Sequence, residues 1–194
     1  MTQDNDPQMP TLPPFNRIDV LETAQLPSKP RLLVIGHGRH GKDTVCEILR
    51  DYHGYSFVSS SQFVLDEAIW ENWGQHRYKT KDICYADRAN HRDKWADMIT
   101  EYNTPDKSKT ASGMLDQGYS IYCGMRRRDE FEAARHLFDA VVWVDRSELL
   151  PPEPFTSMEL NKSDANIFID NNSTKIDLWF HVFNASAKVC RDLN

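Results

Sequence analysis

From residue 31 onward, short apolar runs alternate with longer segments whose apolar residues recur every three to four positions. That alternation is the pattern of a parallel sheet with helices packed on its faces. The first strand is read at residues 31–35, and a helix follows at 42–52 with Val45, Ile48, Leu49 and Tyr52 on its apolar face. A second strand is expected at 55–58, and the polar turn Ser59, Ser60, Ser61 can cap a helix at 62–73. A polar linker, 74–85, leads to a long helix at about 88–102 whose buried stripe is Trp95, Met98, Ile99 and Tyr102. Then come a helix at 108–117, a strand at 120–123, a helix at 128–137, a strand at 140–144 and a last strand at 165–169. A C-terminal helix at 174–189 is expected to face the core with Ile176, Leu178, Trp179, Val182, Phe183 and Val189. Five strands with interleaved helices predict a three-layer α/β domain with a five-stranded parallel sheet.

Ligands in such sheets bind beyond the carboxyl ends of the strands. Function is therefore expected in the turns 36–44, 59–62, 124–128, 145–147 and 170–173. The first of these reads Gly-His-Gly-Arg-His-Gly-Lys-Asp-Thr, directly after the apolar run Leu32, Leu33, Val34, Ile35. Gly36, four residues, then Gly41 and Lys42 fit the G-x-x-x-x-G-K part of a phosphate-binding loop, and the strand before and helix after it are the context that motif requires. A triphosphate is held by backbone N–H groups at a helix N-terminus, where the dipole favours negative charge. Gly36, Gly38 and Gly41 let the backbone approach the phosphate oxygens, and Lys42 reaches them as a mobile charge. Arg39 and His40 lie on the loop and can add donors. Where the motif has Ser or Thr after the lysine, this chain has Asp43, with the hydroxyl one place later at Thr44.

Composition narrows the class. The 194 residues suit one α/β domain, 40% of them are apolar, and the net charge is -6. No apolar run approaches the roughly 18 residues of a membrane span, and no secretory signal is read at the N-terminus. Cys46, Cys84, Cys123 and Cys190 are scattered, without metal-ligand spacing, as reduced cytosolic thiols would be. Pro7, Pro10, Pro13, Pro14, Pro27 and Pro30 are six of the chain's ten prolines, so residues 1–30 are read as an extended or disordered tail and 31–194 as the folded domain.

Three further clusters can carry chemistry. Arg126, Arg127 and Arg128 follow the strand at 120–123, where guanidinium groups can neutralise charge on a phosphoryl group in transfer. Arg127 and Arg128 read equally well as solvated surface residues. Asp87, Arg88 and Arg92 enter the long helix, with the two arginines four apart on one face; that face suits an acceptor phosphate, while Asp87 read alone is also an ordinary helix cap. Asp145 and Arg146, with Asp170, Asn171 and Asn172, suit either an adenine cradle or a polar turn that caps the last helix. Magnesium beside the phosphates needs oxygen ligands, which Asp43 and Thr44 can supply. The strand end that usually offers a second acid carries Cys123 and Gly124, so Asp145, Asp66 and Glu67 are its candidate replacements.

The Gly-Lys-Asp-Thr loop, the arginine three residues after Cys123, the Asp-Glu-Phe-Glu-Ala-Ala-Arg helix and the late Ile-Asp-Asn-Asn turn resemble the bacteriophage deoxynucleoside monophosphate kinase group of P-loop kinases. The likeness covers about residues 31–190. Within the group, Asp87-Arg88-Ala89-Asn90-His91-Arg92, Gly124-Met125-Arg126 and Trp143-Val144-Asp145-Arg146-Ser147 look most like phage 5-hydroxymethyluracil DNA kinases, which phosphorylate the hydroxymethyl group of a modified pyrimidine in phage DNA. The resemblance implies a host-cytoplasmic enzyme using ATP and Mg2+. It implies phosphate binding by Gly38 through Lys42, metal contact near Asp43 and Thr44, and transition-state contact by Arg126. It also places Asp87, Arg88 and Arg92 near the acceptor. Gly124 stands where the monophosphate kinases tend to carry an acid, which leaves the second metal ligand and the catalytic base open.

Two acceptors remain, modified DNA and a free deoxynucleotide. Monophosphate kinases close an arginine-bearing lid over both substrates. Here the interval 146–165 is short, Pro-rich and without arginine beyond Arg146, so a polymeric acceptor that itself covers the site is favoured. The net charge of -6 argues against DNA, although basic residues slightly outnumber acidic ones over 76–135. Trp70, Trp73 or Tyr85 could stack on an extruded base, yet each reads first as a core residue. A nucleotide-binding module without catalysis is the alternative from another class.

Overall fold

Leu32, Leu33, Val34 and Ile35 are all essentially inaccessible to solvent, a pattern that only a central strand covered on both faces produces. The computed structural model describes residues 29–192, and they form an α/β domain around that strand. The strands β1 (Leu32–Ile35), β2 (Phe57–Ser59), β3 (Ile121–Cys123), β4 (Ala140–Asp145) and β5 (Ile167–Asp170) pair in the order β2-β3-β1-β4-β5. Every pairing is parallel, with Leu33 opposite Tyr122 on one side and Val141 on the other. This is the predicted three-layer, five-stranded parallel architecture. The expected tail falls largely on residues 1–28, which lie outside the described residues. Lys29 sits with its ammonium 5.6 Å from the centre of the Tyr55 ring.

The helices are α1 (Lys42–His53), α2 (Ser60–Val64), α3 (Trp70–Asn72), α4 (Lys81–Ala86), α5 (Arg92–Tyr102), α6 (Lys109–Asp116), α7 (Arg128–Ala134) and α8 (Lys175–Asp192). Strand side chains point alternately to the two faces, so the core divides in two. Leu32, Val34, Val142 and Val144 pack with Val45 and Leu49 of α1 and with Leu178, Val182 and Val189 of α8. Leu33, Ile35, Val141 and Trp143 pack on the other face with Phe63, Trp95, Met98, Met114 and Phe131, contributed by α2, α5, α6 and α7.

Four expectations are corrected. The helix expected at 62–73 starts at Ser60, with Ser59 as its cap accepting from the Gln62 N–H, and passes through a π-helical turn, Leu65–Ile69, before α3. The linker 74–85 contains α4, capped by Thr80; its one buried apolar residue, Cys84, gave no periodic signal. The helix expected from residue 88 splits into a 3₁₀ turn, Asp87–His91, and α5. On α8 the buried face is Leu178, Val182, Ser186 and Val189, whereas Ile176, Phe180 and Phe183 are exposed, as is Tyr52 on α1. The physical reason is position: α8 packs on the edge strand β5 and against α1, and its outer aromatics stack on one another, Trp179 on Phe183 at 5.6 Å. Among the described residues no helix is long and apolar enough to cross a membrane.

Candidate phosphate-binding site

The loop from Gly36 to Gly41 leaves the buried end of β1 and turns into α1. Gly36 has φ 147°, and a Cβ there would lie 2.5 Å from the Val144 carbonyl oxygen of β4. Gly41 is the N-cap of α1 in the left-handed region at φ 92°, with the Asn171 amide where its side chain would go. Between them Arg39 takes the left-handed conformation at φ 65°, a strained choice for a residue with a side chain. No side chain caps α1, so its first N–H groups and the positive end of its dipole face the loop's concavity. That is an anion site built from backbone.

Lys42 is folded over the loop, its Nζ donating to the Gly36 and His37 carbonyls at 2.8 Å each. Burial lowers its pKa; Cys123 opposes the shift and Arg126 adds to it. From the end of β3, Arg126 points across the sheet, and its Nη1 donates to Glu153 Oε2 at 2.8 Å. The same Glu153 oxygen accepts from the Gly38 N–H inside the loop. The Glu153 N–H donates to His37 Nδ1 at 3.2 Å. Burial opposes ionisation of Glu153, but the Gly38 N–H and Arg126 hold its carboxyl below the ordinary range.

The loops after β4 and β5 brace the phosphate loop from behind. His40 is completely buried, and its Nδ1 accepts from the Arg146 N–H at 3.1 Å. Its carbonyl accepts from Asn171 Nδ2 at 2.9 Å, while the Asn171 N–H donates to the Asp145 carbonyl at 2.7 Å. Desolvation lowers the pKa of both His37 and His40. His37 also packs edge-on against Trp143 at 5.3 Å.

The expected site residues fall into two groups. Gly36, Gly38, Arg39, His40, Gly41, Lys42, Asp43, Thr44, Arg126 and Arg146 belong to the loop or to turns bonded to it. Asp43 is exposed in the first turn of α1, and Cys123 Sγ lies 3.7 Å from its Oδ1. Mg2+ takes one or two protein oxygens and fills its remaining positions with phosphate and water. Asp43 with Thr44 fits that role when a triphosphate is present, and among the described residues no cluster of three or more metal-binding side chains would hold the ion alone.

Asp87, Arg88 and Arg92 form the second group, beyond the end of β2. Asp87 accepts from Tyr78 Oη at 2.7 Å and Asn90 Nδ2 at 2.6 Å, and His91 Nε2 lies at 3.1 Å. Arg88 covers the Tyr85 ring at 4.0 Å, and the Tyr85 hydroxyl is 2.8 Å from Ser59 Oγ at the carboxyl end of β2. Arg92 is exposed. Among the described residues none of the three is hydrogen-bonded to the phosphate loop. Arg127 pairs with Glu159 at 3.3 Å, and Arg128 makes a two-pronged pair with Asp164 at 2.6 and 2.8 Å. Trp70, Trp73 and Tyr85 are partly buried against the core. The turn 170–173 is divided in use: Asn171 braces His40, whereas the Ser173 hydroxyl donates to Asp177, which with Thr174 forms the cap of α8.

Glu153 is the site residue that sequence reasoning missed. Its one signal was an acid set between prolines, Pro151-Pro152-Glu153-Pro154, in the interval read as lacking an arginine.

No family model matches this chain, and no curated protein sequence matches it. Similar solved structures include a gluconokinase from Sinorhizobium meliloti 1021, at 15% identity over 86% of this chain and 96% of that one with a TM-score of 0.46. A protein from Thermus thermophilus is similar at 10% identity over 86% and 99%, TM-score 0.45. A sugar kinase from Janibacter sp. HTCC2649 is similar at 18% identity over 83% and 98%, TM-score 0.43. Likeness at this level assigns no activity. The chain's own strand order and loop define its class, a three-layer α/β protein with a five-stranded parallel sheet and a glycine-rich loop between β1 and α1.

Proposed function

We propose that the protein is an ATP- and Mg2+-dependent phosphotransferase whose acceptor is the 5-hydroxymethyl oxygen of a pyrimidine in DNA. The observation that carries the phosphotransferase reading is the convergence of two donors, the Gly38 N–H and the Arg126 guanidinium, on one carboxylate oxygen at the loop, with Lys42 folded over the same loop. In the reaction the acceptor oxygen bonds to the γ phosphorus as the bond to the β–γ bridging oxygen breaks. ADP leaves and the hydroxyl's proton passes to solvent. Phosphoryl transfer is catalysed mostly by positioning and charge stabilisation, which is what these residues supply. The loop N–H groups and Lys42 bind and orient the phosphates. Arg126, reaching in from the neighbouring strand, offsets charge on the transferring oxygens. Bound Mg2+ would neutralise phosphate charge beside Asp43 and Thr44.

Two observations support a polymeric acceptor. The segment 146–166 is tied to the body through the Glu153 N–H, Glu159 and Asp164, so it is a strap rather than a free arginine-bearing lid. Water exclusion then falls to the acceptor. The exposed guanidinium planes of Arg88 and Arg77, which cover the partly buried Tyr85 and Trp73 rings, are surfaces on which a base could stack. The exposed pair Arg88 and Arg92 favours the second reading, a deoxynucleoside monophosphate kinase, because guanidinium groups suit an acceptor phosphate.

The test gives γ-labelled ATP and Mg2+ a choice of acceptor, duplex DNA containing 5-hydroxymethyluracil or free deoxynucleoside monophosphates. Label is expected in the DNA, and Lys42→Ala is expected to lower incorporation on the order of 10²-fold or more while the protein stays folded. Label in free nucleotides alone selects the second reading. Tight ATP binding without transfer to any acceptor makes the chain a binding module.

A further inference from the structure

The strap that crosses the phosphate loop places a carboxylate where the loop's donors point. Glu153 Oε2 takes the Gly38 N–H and Arg126 Nη1 together, and Lys42 lies close enough to help keep it ionised. The contact is built rather than incidental. Pro151, Pro152 and Pro154 fix the backbone on both sides of Glu153 and donate no N–H. The one N–H in that four-residue stretch, that of Glu153, is spent on His37 of the same loop. Glu153 thus grips the phosphate loop through main chain and side chain at once, from 115 residues away in sequence. The Gly38 N–H is in direct hydrogen-bond contact with the Glu153 carboxylate, so no phosphate oxygen fits between them.

We propose that Glu153 is an internal occupant of the phosphate site, a carboxylate that stands in for a nucleotide phosphate and must be displaced before a triphosphate binds. The inference rests on the phosphate-loop reading. A bound triphosphate takes over the Gly38 N–H and releases Arg126 from its ion pair, so a single displacement both opens the site and frees the arginine for the transferring group. Withdrawal needs only rotation about the glutamate's own side-chain bonds, because the prolines fix the backbone of 151–154 and leave those bonds free. ATP affinity is then set by the fraction of molecules in which Glu153 is withdrawn, since a binding-competent minority raises the apparent Kd in proportion.

The experiment measures ATP and inorganic tripolyphosphate binding to the full chain by calorimetry, for the wild type and for Glu153→Gln, which keeps shape and removes charge. A thermal melt confirms that each is folded. The variant is expected to bind both ligands about tenfold more tightly, as it would if roughly a tenth of wild-type molecules were competent. If the wild type binds and Glu153→Gln binds equally or more weakly, Glu153 is a structural staple and the inference is overturned while the phosphate loop stands. If neither folded protein binds either ligand, the phosphate-loop reading fails and the inference with it.

Discussion

At Gly36 the chain turns at φ 147° with the Val144 carbonyl 2.5 Å from where a Cβ would sit, and the obstacle is backbone of the neighbouring strand. A flexible side chain could give way, whereas a carbonyl in a parallel ladder cannot shift without disturbing its own pairing. Gly36→Ala is therefore expected to destabilise the fold by roughly 2–4 kcal/mol, from overpacking together with a backbone conformation that L-residues resist. Urea denaturation checks this; a loss under 1 kcal/mol would show that β1 and β4 separate easily at that end. Gly41 was readable from the loop motif in the same way as Gly36. Unreadable was the role of His40 beside it, which sequence offers as a phosphate donor. Its side chain is completely buried and accepts from the Arg146 backbone, so it shapes the loop from behind instead of reaching into it.

The elements themselves were legible in proportion to their periodicity. The buried run of β1 and the 3.6-residue repeat of α1 came through because each signal spans several residues of one element. Helix α4 did not, since six residues with one buried thiol carry no repeat. The outward face of α8 was misread because aromatics at helical spacing mark an apolar stripe without saying which stripe meets the sheet. The same limit hid the brace between loops. Asn171, at the end of β5, holds the His40 carbonyl on the loop after β1 and bonds by its own N–H to the end of β4, so three strand ends act as one unit. Asn171→Ala would leave the His40 carbonyl without its amide donor in a buried setting, at a cost of about 1–3 kcal/mol. ATP binding should weaken in parallel, because the freed loop must be ordered again on binding. A variant that loses stability but keeps wild-type affinity would uncouple brace from site.

Across the whole molecule, acid should weaken the fold in two stages. Burial is the main cause of the lowered pKa of His37 and His40, and both accept strap N–H groups through Nδ1. The unfolded chain therefore takes up these protons first, so stability is lost as pH falls from about 6.5 toward the lowered folded-state values. Carboxylates follow below about pH 4.5: Asp164, held low chiefly by Arg128, and Glu153, held low by Gly38 and Arg126 against its burial, lose their contribution as they protonate. Buried Glu130, with its pKa raised by desolvation, acts the other way, adding stability as pH falls toward about 4.5, before the second stage begins. Thermal melts from pH 8 to 3 test the order; an unchanged midpoint between pH 7 and 5.5 would remove the histidines from the account. The amino-acid sequence by itself determined the strand, loop and helix around Lys42, and the α/β alternation, because backbone sterics and repeats of two or 3.6 residues act between near neighbours. Tertiary structure alone decided that Glu153 would occupy the loop and that Asn171 would brace it. Those meetings depend on strand order and register, which bring residues more than a hundred positions apart into contact and leave no mark on the local pattern of either partner.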